Sequence, residues 1–149
     1  ALIEAIIHHR LPDIERRRSA LLGTLVDDGR SAELTGLLDA LYRPLFEQKN
    51  PAGAHTYARF LWALIQVNRM SVRTSIPGEE YAVSREIVTR IIDVLPEAAK
   101  ERYHYRIEFM TALMGAVLQR IDLKKMNADE EESNFRDALI MIASALSAE

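Results

Sequence analysis

Apolar residues recur at three- and four-residue intervals along almost the whole 149-residue chain, and this periodicity restricts the fold more than any other feature. Such spacing is the signature of amphipathic helices, whereas exposed strands alternate apolar and polar residues. No segment shows sustained alternation. The sequence therefore predicts one all-α domain over residues 1–149, a bundle of six to seven helices.

Proline, glycine and acidic residues mark the expected ends of the helices. Pro12 is expected to kink the first helix or divide it in two, and Gly29 to end it. Ser31 is a candidate N-cap for the second helix. The longest uninterrupted pattern predicts a single helix over residues 96–123, and the acidic run that begins at Asp129 favours the start of the last helix.

Composition excludes several classes of protein. Without cysteine, the chain forms no disulfide and no thiolate metal site, and its formal net charge of −3 has the wrong sign for wrapping nucleic acid. No apolar run approaches the roughly 20 residues of a membrane span, and no signal peptide is recognisable. Enzyme motifs and glycine-rich phosphate loops are absent. We expect a cytoplasmic protein that is not an enzyme and needs no cofactor.

The last two helices are apolar over more of their circumference than a helix packed from one side requires. The small residues Ala112, Gly115 and Ala116 would permit close approach of another helix. A four-helix interface between two copies of this pair would bury the excess, so the sequence predicts a homodimer. The predicted dimerisation residues are Phe109, Leu113, Ala116, Val117, Arg120, Phe135, Leu139, Ile142 and Leu146.

Aromatic and sulfur-containing side chains concentrate on the third to fifth helices, with a few arginines among them. A mostly apolar cavity with a few orienting polar groups is typical of small-molecule sites. The ligand-binding residues predicted from the facing pattern are Tyr42, Tyr57, Phe60, Leu61, Leu64, Tyr81, Arg85, Val88, Tyr103, Arg106, Ile107, Met110 and Met114.

Two other functions remain open at this point. Glu101 and His104 form a Glu-x-x-His pair with Glu108 one turn further on, which would suit a carboxylate/histidine metal site in a helical bundle. A ligand-free helical adaptor is the second alternative. The basic run at residues 16–18 is a solvated face or a contact to phosphate or to a DNA-bound domain.

The chain also resembles the regulatory domain of tetracycline-repressor (TetR) family transcription factors. The opening segment and the Arg-x-x-Phe-x-x-x-x-x-Gly pattern from Arg106 to Gly115 are the most persuasive parts. The similar segments are residues 1–7, 16–22, 42–45, 57–64, 94–96 and 105–118.

That resemblance implies a homodimer joined through the last two long helices and a pocket for a small, hydrophobic effector. It also implies that the first helix transmits ligand binding to an N-terminal helix-turn-helix domain. These residues do not include such a domain, and we expect the chain to be the downstream part of a longer protein. Pro12 and the arginine run would lie on the transmitting helix, so Arg16→Ala and Arg17→Ala are expected to lose the inducer response.

Overall fold

A computed structural model describes residues 2–66 and 78–149, and every regular element in these ranges is helical. The all-α class predicted from the periodicity is confirmed. None of these helices is long and apolar enough to cross a membrane. The described elements are α1 (Leu2–Asp27), α2 (Leu34–Glu47), α3 (Thr56–Gln66), the 3₁₀ helix η1 (Gly78–Tyr81), α4 (Ala82–Val94), α5 (Glu97–Lys100), α6 (Tyr103–Lys124) and α7 (Ala128–Ser147).

Helix α1 runs unbroken through Pro12, so the expected division does not occur. A proline removes the N–H that would bond to the carbonyl four residues earlier, here that of His8. Both residues are exposed, so water can satisfy that carbonyl and the helix continues. Gly29 has a φ of 69°, the left-handed conformation expected just beyond the end of α1.

Two other boundaries differ from the sequence prediction. Helix α2 begins at Leu34 rather than after Ser31. A separate turn precedes it, in which the Glu33 N–H bonds to the Arg30 carbonyl at 3.0 Å and the two side chains form a bidentate ion pair. Residues 96–123 form two helices, since the Arg102 N–H bonds to the carbonyl of Ala99 in a tight turn between α5 and α6. The segment is therefore bent before the long helix begins.

The start of α7 is fixed by a reciprocal pair of hydrogen bonds. The Glu130 N–H donates to Asn127 Oδ1 at 2.9 Å, and the Asn127 N–H donates to Glu130 Oε2 at 3.0 Å. This capping box satisfies donors that a helix start otherwise leaves unpaired. Lys125, with a φ of 50°, ends α6 in the left-handed conformation. The short connection returns α7 along α6, and the two helices pack side by side.

Helix α2 lies at the centre of the bundle and packs against α1, α3, α4 and α7. The main core gathers around it and includes the fully buried Leu38, Ile91 and Phe135. A second, smaller core forms beside it around Ile7 and Leu64, joining the first half of α1 to α3. The bundle therefore has two apolar centres, and α1 contributes to both.

Two charged contacts tie the helices together across the core. Arg43 of α2 donates to both oxygens of Glu132 of α7, at 3.0 and 2.9 Å, and these hydrogen bonds hold the pKa of Glu132 down at about 2. The Asp122 carboxylate of α6 accepts the backbone N–H of His55 at 3.0 Å and lies 2.6 Å from its Nδ1. His55 is fully buried, so this second contact anchors the start of α3 to the end of α6.

Arg18 is the most constrained polar side chain of α1, because it bonds to α1, α2 and α4 at once. Its Nε and Nη2 donate to the Leu41 carbonyl at 3.0 and 2.9 Å, and its Nη1 donates to Glu15 Oε1 at 3.0 Å and to Ser84 Oγ at 2.8 Å. Glu15 also accepts the Ser84 N–H at 3.1 Å, in the first turn of α4. Burial lowers the pKa of Arg18, and the bond to Glu15 opposes that effect.

Replacement of Arg18 is expected to cost far more stability than replacement of its neighbour Arg16. Arg18→Met leaves the Glu15 carboxylate buried without a counter-charge, so we expect the free energy of unfolding to fall by about 3–5 kcal/mol. Arg16 pairs with Asp13 on an exposed face, so Arg16→Met is expected to change it by about 0.5 kcal/mol or less. Urea unfolding at neutral pH measures both.

The double variant Arg18→Met/Glu15→Leu removes the unpaired buried charge as well. It is therefore expected to unfold at a higher urea concentration than Arg18→Met alone. Equal stabilities of Arg18→Met and Arg16→Met would contradict the structural role given to the buried pair.

Candidate functional site: an apolar cavity between five helices

A cavity of about 540 Å³ lies between α1, α2, α3, α4 and α6, with η1 at its edge. This volume is within the range of small-molecule sites, roughly 300–1,000 Å³. Most of its wall is apolar. The lining residues are Ile7, Leu11, Ile14, Arg18, Leu41, Tyr42, Leu45, Tyr57, Ala58, Leu61, Trp62, Gly78, Tyr81, Ser84, Arg85, Val88, Thr89, Tyr103, Ile107, Thr111, Met114, Gly115 and Leu118.

The indole of Trp62 forms part of the wall because α6 has a glycine opposite it. A Cβ added at Gly115 would lie 2.6 Å from Trp62 Cγ and 2.7 Å from Cδ2, closer than carbon atoms approach each other. These are atoms near the root of a rigid ring, so a side chain at position 115 would displace the indole. Gly115 therefore faces the cavity, not a partner helix as its small size suggested in the sequence.

The mostly apolar wall also contains a few hydroxyl groups. The Tyr42 hydroxyl and Thr111 Oγ1 lie 2.9 Å apart and share a hydrogen bond between α2 and α6. Burial, with a smaller contribution from nearby Tyr81, raises the pKa of Tyr57 to about 12. Its phenol therefore stays protonated and neutral at physiological pH. These groups can orient a ligand through hydrogen bonds without adding charge.

The structure brings most of the predicted ligand-binding residues to the cavity. Those that line it are Tyr42, Tyr57, Leu61, Tyr81, Arg85, Val88, Tyr103, Ile107 and Met114. Those that do not are Phe60, Leu64, Arg106 and Met110.

The four residues outside the lining have other contacts. Phe60 and Leu64 pack with Ile7 in the second core, and Met110 packs against the main core. The guanidinium of Arg106 donates to the carbonyls of Leu146 and Ala148, at the end of α7. Unpaired carbonyls at a helix C-terminus attract cations, which explains why this arginine turns towards α7.

Sequence reasoning missed the contribution of α1 to the cavity. Ile7, Leu11 and Ile14 line it together with Arg18, at intervals of four, three and four residues. Arg18 was read as part of a basic run, although it falls on the same helical face as this apolar stripe. This position on the apolar face could have predicted an internal partner for Arg18, because a charged side chain on a buried face needs one.

The predicted dimerisation residues fall into two groups. Phe135, Leu139, Ile142 and Leu146 are buried in the core of the chain itself, along the inner side of α7. On α6, Phe109, Ala116 and Arg120 are exposed, while Leu113 and Val117 are half-buried at the edge of the core.

The alternative metal site has little support in the structure. Glu101, His104 and Glu108 are all exposed, and within residues 2–66 and 78–149 no group of three or more His, Cys, Asp or Glu side chains could hold a metal ion. The basic run is also largely neutralised, since Arg16 pairs with Asp13 and Arg17 with Glu47.

A family profile matches most of the chain. The sequence profile of the tetracyclin repressor-like C-terminal domain matches residues 39–148, from within α2 to the end of α7. Searches of curated proteins and of solved structures found no match. On the extent of the profile match, the chain belongs to the family of tetracyclin repressor-like C-terminal domains.

Proposed function

We propose that this chain is the effector-binding and dimerisation domain of a TetR-like bacterial transcriptional regulator. The observation that carries the proposal is the apolar cavity of about 540 Å³ inside a domain of this family. A site of this size and polarity favours a small, hydrophobic effector. The same cavity argues against a ligand-free adaptor, whose interior would be filled by side chains.

Helix α1 is the element best placed to sense the effector. Ile7, Leu11 and Ile14 form one wall of the cavity, and Arg18 ties the same helix to α2 and α4. We propose that occupancy of the cavity changes the position of α1. That change would act on DNA through an N-terminal helix-turn-helix domain outside these residues. In this account the protein works in the cytoplasm, without cofactor or catalysis.

The second part of the proposal is a homodimer joined through the outer faces of α6 and α7. Along α6, the exposed Tyr105, Phe109, Ala116 and Leu123 follow one line, and on α7 Ile140 and Met141 are exposed. Five of the seven exposed large apolar side chains in the described residues lie on these two helices, the others being Leu2 and Val26. A concentration of exposed apolar side chains on one pair of helices favours an interaction site, and isologous pairing is the commonest way to cover such a surface.

Filling the cavity is expected to abolish binding of an apolar probe. N-phenyl-1-naphthylamine is neutral and fluoresces in apolar surroundings, so its titration reports cavity occupancy. Val88 lines the cavity, and Val88→Phe is expected to weaken probe binding by at least about tenfold. Val26→Phe, on an exposed face of α1, is the matched control and should leave the titration unchanged. Equal binding by wild type and both variants would place the probe elsewhere and reject the cavity as the site.

A charge placed on the outer face of α6 is expected to separate the dimer. Phe109 is 60% exposed in the single chain, so Phe109→Asp should fold normally and yet bury an unpaired carboxylate at the proposed interface. Sedimentation equilibrium should give twice the 16.9 kDa chain mass for the wild type and the single mass for the variant. Val26→Asp should remain dimeric. A monomeric wild type, or a variant as dimeric as the wild type, would contradict this interface.

A further inference from the structure

The charge on the cavity wall is unbalanced. Among the lining residues in the described part of the chain there are two arginines, Arg18 and Arg85, and no Asp, Glu, Lys or His. A cavity that bound a cationic molecule would need an acid to pair with it, because an unpaired charge in apolar surroundings is costly. The charge balance of the wall therefore favours a ligand with negative charge.

Arg18 is already neutralised within the protein. Its guanidinium bonds to the Glu15 carboxylate, to Ser84 Oγ and twice to the Leu41 carbonyl. Both members of the pair are about 90% buried. A ligand anion would have to displace a buried carboxylate to reach this arginine, so Arg18 is not the group that recognises it.

Arg85, unlike Arg18, is neither buried nor paired with an acidic group among the described residues. It is exposed, it lies on the first half of α4 at the cavity edge, and no acidic group in the described part of the chain forms an ion pair with it. Residues 67–77 contain no Asp or Glu that could pair with it. Among the described lining residues, Arg85 therefore carries a positive charge that is accessible to a ligand.

The Arg85 guanidinium lies directly beside Gly78. A Cβ added at Gly78 would lie 2.9 Å from Arg85 Nη1, with Cζ and Nη2 also within 4 Å. The guanidinium thus occupies the space beside η1 that a side chain at position 78 would take. Both residues line the cavity, so the positive group lies at its edge.

We infer that the effector is an apolar molecule with a single carboxylate, its body in the cavity and its carboxylate on Arg85. This inference rests on the proposed effector-binding function. The planar fork of one arginine matches the two oxygens of one carboxylate, and charge-assisted pairs of this kind are roughly twice as strong as neutral hydrogen bonds. One arginine supplies only one positive charge, so a monoanion matches it better than a phosphate dianion does.

Three decyl probes that differ only in their head group test the inference: decanoate, decan-1-ol and decyltrimethylammonium, below their critical micelle concentrations. Trp62 is the single tryptophan of the chain and lines the cavity, so its fluorescence reports binding directly. We expect decanoate to bind at least about tenfold more tightly than decan-1-ol, and the ammonium probe to bind most weakly.

Two variants test whether Arg85 causes the preference for decanoate over decan-1-ol. Arg85→Gln is expected to reduce decanoate affinity to that of decan-1-ol and to leave decan-1-ol unchanged. Arg90→Gln removes the same charge from the same helix outside the lining, so it should keep the wild-type preference.

Equal binding of decanoate and decan-1-ol by the wild type would overturn the carboxylate assignment and leave the apolar cavity intact as an effector site. The same conclusion would follow if Arg85→Gln and Arg90→Gln had equal effects. Absence of binding by all three probes would overturn the effector-binding function together with this inference.

Discussion

The buried pair of Arg18 and Glu15 holds together helices that the cavity keeps apart. A bundle that encloses a cavity cannot rely on side-chain packing alone, because side chains at the cavity wall make fewer contacts than those in a filled core. Here α1 is tied to α2 through the Leu41 carbonyl and to α4 through Ser84, by hydrogen bonds at the cavity wall. The network satisfies each partner, as buried charges require. It also makes the position of α1 depend on two of the helices that enclose the cavity.

Helix α6 has apolar residues on two faces, which is more than packing against a single core requires. Its inner face supplies Tyr103, Met114 and Leu118 to the cavity and core, while Phe109 and Leu123 on its outer face are exposed. In the proposed dimer both faces would be covered, one by the chain itself and the other by a second copy. The cavity wall and the proposed interface therefore share one helix, whose Asp122 also holds the start of α3 at His55.

The periodicity of apolar residues was sufficient to predict the helical class. Core residues such as Leu37, Ile91 and Ile142 belong to series of apolar residues that recur at helical spacing. The same signal could not distinguish the inner side of α7 from its outer side. Apolar residues occur on both, and only the packing against α2 and α6 shows that Leu139 and Ile142 face inwards while Ile140 and Met141 face outwards.

The site was predictable where the side chains themselves suit a cavity. Tyr57, Tyr81 and Met114 were identified in this way, since aromatic and thioether groups are typical of such walls. Residues whose role depends on tertiary contacts were not. Arg106 turns to the end of α7, and Gly115 is small because Trp62 packs on it. Local sequence spacing predicts neither of these two contacts.

Hydrogen exchange of the α1 amides, with and without saturating N-phenyl-1-naphthylamine, tests most directly whether α1 senses the cavity. We predict slower exchange on binding at residues 7–18, because the probe would contact the wall that Ile7, Leu11 and Ile14 provide and stabilise the Arg18 network beside it. Slower exchange confined to α3, α4 and α6, with α1 unchanged, would contradict it and leave a ligand site that is not connected to the first helix.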